Sequence, residues 1–225
     1  MPQRARLATP RSERTRASIL EVAEVIFAEK GFDGTRLEDV AQAVKIRRAS
    51  IVYYFKDKRE LYNAVLGAVF GGFLEKLREV LSGPEPPAQL IESAVCAWVD
   101  YVGQRPALAR LLLREVADAT PSRPPSVLAY IQPFFDLIER FLAEHAGDDL
   151  PRLNPIDPAH LAATIAGATV FLVAVMPALV PSMEFEPLSP RHLEKHRSEV
   201  LRITRRLLGT GGPRPASPRR SPPPD

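Results

Sequence analysis

Cysteine is almost missing from this chain: Cys96 stands alone in 225 residues. That excludes an intramolecular disulfide framework and any cysteine-based zinc finger. Glycine is sparse at 12 residues, which excludes a collagen-like repeat. No apolar stretch opens the chain; residues 1–16 are polar and basic, no secretory leader is read, and a reducing cytoplasm is the expected compartment. No segment sustains a period of two, so strands are not expected. A P-loop, a dinucleotide fingerprint and a Gly-x-Ser-x-Gly elbow are all absent. No catalytic set, cofactor or metal is therefore expected. Hydrophobic residues at 45% and charged residues at 25% give a globular balance, which excludes a wholly disordered chain.

Charge is unevenly placed. Residues 1–60 carry a net +4, residues 61–208 a net −3, and residues 209–225 a net +2. Five arginines lie in the first 16 residues against Glu13 alone. A basic front on an acidic body fits a polyanionic partner, and equally a solubilising arm.

Helical spacing runs through the middle of the chain. Ile19, Val22, Ala23, Ile26 and Phe27 form one apolar stripe, closed by Gly31 as a C-terminal cap. Thr35 with Glu38, and Asp57 with Glu60, read as capping boxes for the next helices. Leu90 to Val102, Leu108 to Val116 and Leu128 to Leu142 give three more, the last with Pro133 as an expected kink. Pro158–Leu179 and Pro190–Leu208 follow. The class is all-α.

Two short helices, Arg36–Ala43 and Arg47 to about Tyr53, flank a tight turn at Val44–Arg47. A short helix buttressed in this way can enter a major groove. Arg47, Arg48 and Ser50 lie on one side, Ile51 and Val52 are expected to pack, and Tyr53 and Tyr54 follow. Arginine can pair with both guanine acceptors, and hydroxyls reach bases or phosphates. Lys56 and Lys58 stand at the next helix start, where the dipole favours a phosphate. The same spacing also fits a solvated helical hairpin.

Residues 15–66 resemble the N-terminal domain of the tetracycline-repressor (TetR/AcrR) family of transcriptional regulators. The matching runs are Ile19 to Ala23, Phe27 to Phe32, Thr35 to Ala41 and Tyr54 to Leu61. Two departures stand out. Lys45 occupies a turn position where the family usually has glycine, and Val52 one where many members have a phosphate-contacting tyrosine. The resemblance implies a three-helix helix-turn-helix domain followed by a larger helical domain for ligand binding and dimerisation. It implies a homodimer reading double-stranded DNA at a near-palindromic operator, with repression released by a small-molecule effector. The expected DNA contacts are Thr35, Arg36, Arg47, Arg48, Ser50, Tyr53, Tyr54, Lys56 and Lys58, with Arg11, Arg14 and Arg16 adding phosphate or minor-groove contacts. The divisions are a basic flexible arm (1–12), the DNA-binding domain (13–73), the ligand and dimer domain (84–208) and a disordered Pro/Arg-rich tail (209–225).

Inside the second domain, Trp98, Tyr101, Leu111, Glu115, Tyr130, Phe134, Phe135, Phe171 and Met176 are the candidate wall of a pocket for a small, mostly apolar effector. For any one of them plain core is the competing reading. The uncharged run from Pro158 to Met183 has the length of a membrane span, but Pro177 interrupts it and no basic cluster flanks it. It is read as a helix buried on nearly every side, with Ala163, Gly167 and Ala174 allowing close approach. Val200, Leu201, Thr204, Leu207 and Leu208 on the next helix are expected to join it in a four-helix dimer interface. Gly67, Gly71 and Gly72 read as close packing or bending of the helix linking the domains. His192 and His196 are four apart, but Glu194 is out of place for the zinc-protease motif, so they read as an exposed or interface pair. Cys96 reads as a packed thiol. A non-specific architectural DNA binder and a helical enzyme are the competing classes.

Overall fold

Helix α1 (Pro10–Gly34) buries one face completely: Ile19, Ala23 and Phe27 are all at 0% exposure. The computed structural model describes residues 10–120, 125–145, 158–181 and 186–208. Pro10, Arg11 and Ser12 belong to α1, not to the arm expected over residues 1–12. The rest of that arm and the tail from residue 209 lie outside the described residues.

Regular helix in α1 breaks at Gly31, which takes φ 73° and ψ 176°. A side chain there would be strained, and a β-carbon would sit 3.3 Å from the Arg114 guanidinium. Helices α2 (Leu37–Val44) and α3 (Arg48–Tyr54) follow. The cap of α2 is Arg36, one residue later than the sequence implied: its N–H donates to the Asp39 carboxylate at 3.2 Å. Thr35 instead donates its buried hydroxyl back to the Gly31 carbonyl at 2.7 Å.

Between α2 and α3, Lys45 adopts the left-handed conformation, φ 60° and ψ 41°. Its N–H reaches the Gln42 carbonyl, and the Ile46 N–H reaches Ala41, the two bonds of a Schellman turn. Asp57 caps α4 (Lys58–Leu66) by accepting from the Glu60 N–H at 2.8 Å. Glu60 completes the cap one residue further back than a standard box, accepting from the Lys56 N–H at 2.8 Å.

A π-helical turn (Gly67–Gly71) joins α4 to α5 (Gly72–Leu81), so one long helical path leaves the front domain. Two glycines of this path admit close neighbours: a β-carbon at Gly67 would fall 3.4 Å from the Tyr130 ring, and one at Gly72 2.8 Å from the Tyr101 hydroxyl. Next come α6 (Pro87–Gln104), α7 (Ala107–Ala117) and α8 (Leu128–Glu144), which carries Pro133 inside it. The apolar run at Pro158 is α9 (Pro158–Val170), a π turn (Phe171–Val175) and α10 (Met176–Leu179). Helix α11 (Pro190–Leu207) closes the described chain. No strand occurs among the described residues, and the fold is all-α.

The domains share a polar and aromatic joint. Arg105, the residue that caps the end of α6, donates to the buried Glu24 of α1 at 2.7 Å and to the Tyr101 hydroxyl at 2.9 Å. Tyr101 in turn donates to the Val69 carbonyl of the π turn at 2.7 Å. Burial pushes the Glu24 carboxyl above its ordinary pKa, and the Arg105 guanidinium partly offsets that rise.

Two expectations about the C-terminal helices need correction. Only 28% of the apolar helical run His160–Leu179 is buried; by length and composition it could cross a membrane, but nothing else points to one. On α11, Val200, Thr204 and Leu208 pack inside their own chain, at 2%, 0% and 0% exposure. Their stripe faces α6 and α9, since a single chain must first cover its own core.

Candidate nucleic-acid interface and apolar cavity

Helix α3 is anchored through one side chain and open on the rest. Ile51 is at 0% exposure, and Phe55 just beyond the helix is at 1%. Val52, expected to pack, is 41% exposed, because a seven-residue helix offers the core only one apolar position per turn. Arg47, Arg48, Tyr53 and Lys56 are exposed, and Ser50 and Tyr54 are half-buried. Tyr53 is 69% exposed with its ring edge-on to Tyr54 at 5.1 Å. The Arg16 guanidinium lies 5.1 Å from the centre of the Phe55 ring. This brings the basic start of α1 beside the end of α3, and Arg11 and Arg14 are exposed on the same helix.

Two expected contacts are committed elsewhere. Thr35 is 1% exposed and caps Gly31. Lys58 donates its ammonium to the carbonyls of Phe32, Thr35 and Asp33 at 2.8, 3.0 and 3.3 Å, while lying 4.5 Å from the Phe32 ring centre. A lysine at a helix start can bind an incoming anion, but here the broken end of α1 already supplies three acceptors. Arg36 is exposed at the start of α2. Glu38, read in the sequence as part of a capping box, instead forms an ion pair with Arg48, Oε1 to Nε at 2.7 Å, with both side chains 60% exposed. Glu38 lies in the first turn of α2 and Arg48 opens α3, so the bend between the two helices brings the pair together.

Helices α5, α6, α8 and α9 enclose a cavity of about 270 Å³. Phe73, Leu77, Trp98, Phe134, Phe135, Phe141 and Leu161 are among its walls. Of the nine side chains expected there, Trp98, Phe134 and Phe135 arrive. Leu111 is core at 0% exposure, and Phe171 points outward at 47%. Met176 does not line the cavity either. Tyr101 serves the domain joint, and Tyr130 donates to the Asn63 carbonyl at 2.9 Å. Phe70, Phe73, Leu77 and Leu81 were missed; their spacing along one helical face was the signal.

Glu115 turns out to be a tie between domains. One carboxylate oxygen accepts from the Tyr62 hydroxyl of α4 at 2.6 Å, and the other from the Val127 N–H ahead of α8 at 3.0 Å. Burial and the Glu115 carboxylate both push the Tyr62 pKa upward, so it stays protonated and donates. Neighbouring Arg114 donates to the Ala28 and Glu29 carbonyls of α1 at 2.9 and 2.6 Å. Helix α7 thus touches α1, α4 and the approach to α8 through two consecutive side chains.

The two histidines have separate partners. His192 Nδ1 lies 2.9 Å from Ser189 Oγ, and His196 Nε2 lies 3.0 Å from the buried hydroxyl of Thr169. Burial lowers the His196 pKa. Burial also raises the Cys96 thiol pKa.

Comparison with known proteins adds to this geometry. Residues 19–65 match the family model of bacterial regulatory proteins, tetR family. The HTH-type transcriptional repressor NicS of Pseudomonas putida is 33% identical over 107 residues, 46% of this chain and 49% of that one. The chain therefore spans about half the length of that relative. The HTH-type transcriptional regulator RutR of Escherichia coli is 28% identical over 152 residues, covering 68% of this chain and 70% of RutR. The crystal structure of the transcriptional regulator FadR from Bacillus subtilis, in complex with stearoyl-CoA, has a similar fold, with a TM-score of 0.65. It is 14% identical and covers 84% of this chain and 96% of that one.

Proposed function

We propose that this chain, whose residues 19–65 match the tetR family model, is a tetR-type DNA-binding transcriptional regulator, a homodimeric repressor acting in the cytoplasm. It reads a near-palindromic operator and is released from it by an apolar effector. The observation that carries the DNA half is the exposed edge of α3. Arg47, Arg48 and Tyr53 project from a helix pinned by Ile51, with Arg16 alongside. Two such edges, one per subunit, meet successive major grooves about 34–36 Å apart. Arg36, Ser50, Tyr54 and Lys56 are the supporting contacts, and the exposed arginines of α1 add backbone contacts whose strength falls with salt.

The exposed face of α9 supports the dimer. His160, Ala163, Thr164, Gly167, Ala168 and Phe171 all lie open on one side. Small uncharged side chains let a second copy of the helix approach closely, and covering them removes apolar surface from water.

The cavity supports the effector half, and FadR, which shares the fold, holds an acyl-CoA. An effector that prefers one packing of α5 and α8 alters the pull of Glu115 on Tyr62 and of Arg114 on α1. The helical path from Asp57 to Leu81 then tilts, and the two α3 edges lose their spacing. Only differential affinity for the two packings drives that shift, about 1–3 kcal/mol in typical cases.

Selection from random duplexes with the purified chain tests the DNA half. An inverted repeat should emerge, bound at least about 10³-fold more tightly than random duplex at the same salt. Equal binding to every duplex would support an architectural DNA binder instead.

A further inference from the structure

We infer that the part of the effector held in the cavity is an uncharged hydrocarbon body bearing one hydrogen-bond acceptor, and that Trp98 Nε1 is the donor that reads it. The inference rests on the proposed effector role of the cavity and deepens it. Among the described residues lining the cavity, every side chain is pure hydrocarbon except Trp98. No lysine, arginine, histidine, hydroxyl or amide lines it. The nearby charged groups are engaged: Glu115 with Tyr62 and Val127, and Arg105 with Glu24 and Tyr101. An ionised carboxylate or phosphate inside would lose its hydration with nothing in exchange.

Trp98 breaks the pattern. Its ring is 9% exposed and packs on Phe73 with centroids 5.0 Å apart. Its indole N–H is buried and meets no acceptor among the described residues. An indole nitrogen can only donate, and buried donors in folded proteins are nearly always met. A ligand carbonyl, ester or ether oxygen reaching that donor as the wall adjusts supplies what the protein leaves out. A hydrocarbon without oxygen does not. At interior packing density the cavity takes roughly ten to fourteen non-hydrogen atoms. A medium-length chain with one carbonyl satisfies both limits. It can arrive as a free ketone or ester, or as the acyl end of a thioester whose charged carrier stays outside.

Trp98 is the single tryptophan of the chain, so intrinsic emission reports on this residue alone. The test titrates the full chain with 2-undecanone, undecane, ionised decanoate and decanoyl-CoA. It follows Trp98 emission, calorimetric affinity and the affinity for the selected operator. 2-Undecanone should change the emission and bind about tenfold more tightly than undecane, while decanoate fails at matching concentration. In Trp98→Phe, calorimetry should show that tenfold preference gone, with undecane binding as before. Tighter binding of decanoyl-CoA than of the ketone supports the same donor and assigns the chain to a carrier. Equal affinity of ketone and hydrocarbon for the native protein overturns the inference, and needs no variant. So does a ketone preference that survives in Trp98→Phe, tight binding of decanoate, or binding of none of the four. If the ketone binds through Trp98 but operator affinity is unmoved, the donor assignment stands and the effector role fails.

Discussion

At Arg48 the guanidinium forms an exposed ion pair with Glu38, Nε to Oε1 at 2.7 Å. An ion pair this exposed is worth only about 0–1 kcal/mol, so it orients the side chain without locking it away from DNA. Replacing Arg48 by Ala should relax base preference at one position of each half-site, by about 1–3 kcal/mol in duplex competition. An unchanged preference with uniformly weaker binding would reassign Arg48 to the phosphate backbone. Lys45 makes the opposite kind of case. Its left-handed backbone costs about 1–2 kcal/mol for a residue with a β-carbon, against about 0.5–1 kcal/mol of extra chain entropy lost by glycine. Lys45→Gly should therefore stabilise the domain by up to about 1 kcal/mol, seen as a rise of a few degrees in Tm. A fall in Tm would mean that the lysine side chain does something unaccounted for.

Among the elements, α7 ties the front helices to the second domain through Arg114 and Glu115. Tyr62→Phe removes one hydroxyl, leaves the edge-on ring contacts with Phe27 and Phe32 in place, and frees one oxygen of Glu115. A hydrogen bond to a charged group is worth about 1.5–3 kcal/mol, so the denaturation midpoint should fall accordingly while the fold persists. Helix α11 holds a pH-sensitive contact at His196. Its pKa in the folded chain lies below the ordinary value, so below pH 6.5 the unfolded chain binds more protons. Stability should then drop as pH falls through 6.5 towards the lowered folded value, and His196→Gln should flatten that part of the profile in denaturation curves.

Element existence was largely legible in the sequence, because Ile19, Ala23 and Phe27, or Phe134, Ile138 and Phe141, recur at helical spacing. The ends were less so. Thr35 has the chemistry of a cap, but the break at Gly31 gives it a nearer acceptor. The cavity was the least legible part. Composition marks Tyr101, Glu115 and Tyr130 as polar-tipped groups suited to a pocket, yet which face of α6, α7 and α8 turns inward is decided by packing between helices distant in sequence. Lys58 shows the same limit at the DNA-facing end: its charge was visible, and the three carbonyls that hold it were not.

For the molecule as a whole, a single chain leaves one face of the apolar run His160–Leu179 exposed. A β-carbon at Gly167 meets nothing within 4 Å among the described residues. Gly167→Leu should therefore fold normally and even gain about 0.8–1.0 kcal/mol of helix propensity. Across a close helix pair the same side chain collides, so sedimentation should show a shift from dimer towards monomer. An unshifted dimer would place the interface on another face.

The central claim is that two copies of the α3 edge read one duplex by its sequence. Its most direct measurement is equilibrium competition between a selected operator and a scrambled duplex of equal length at fixed salt, with the number of chains per duplex counted. The account predicts two chains on the operator and a preference of at least about 10³-fold. A single chain per duplex, or equal affinity for both sequences, would contradict it.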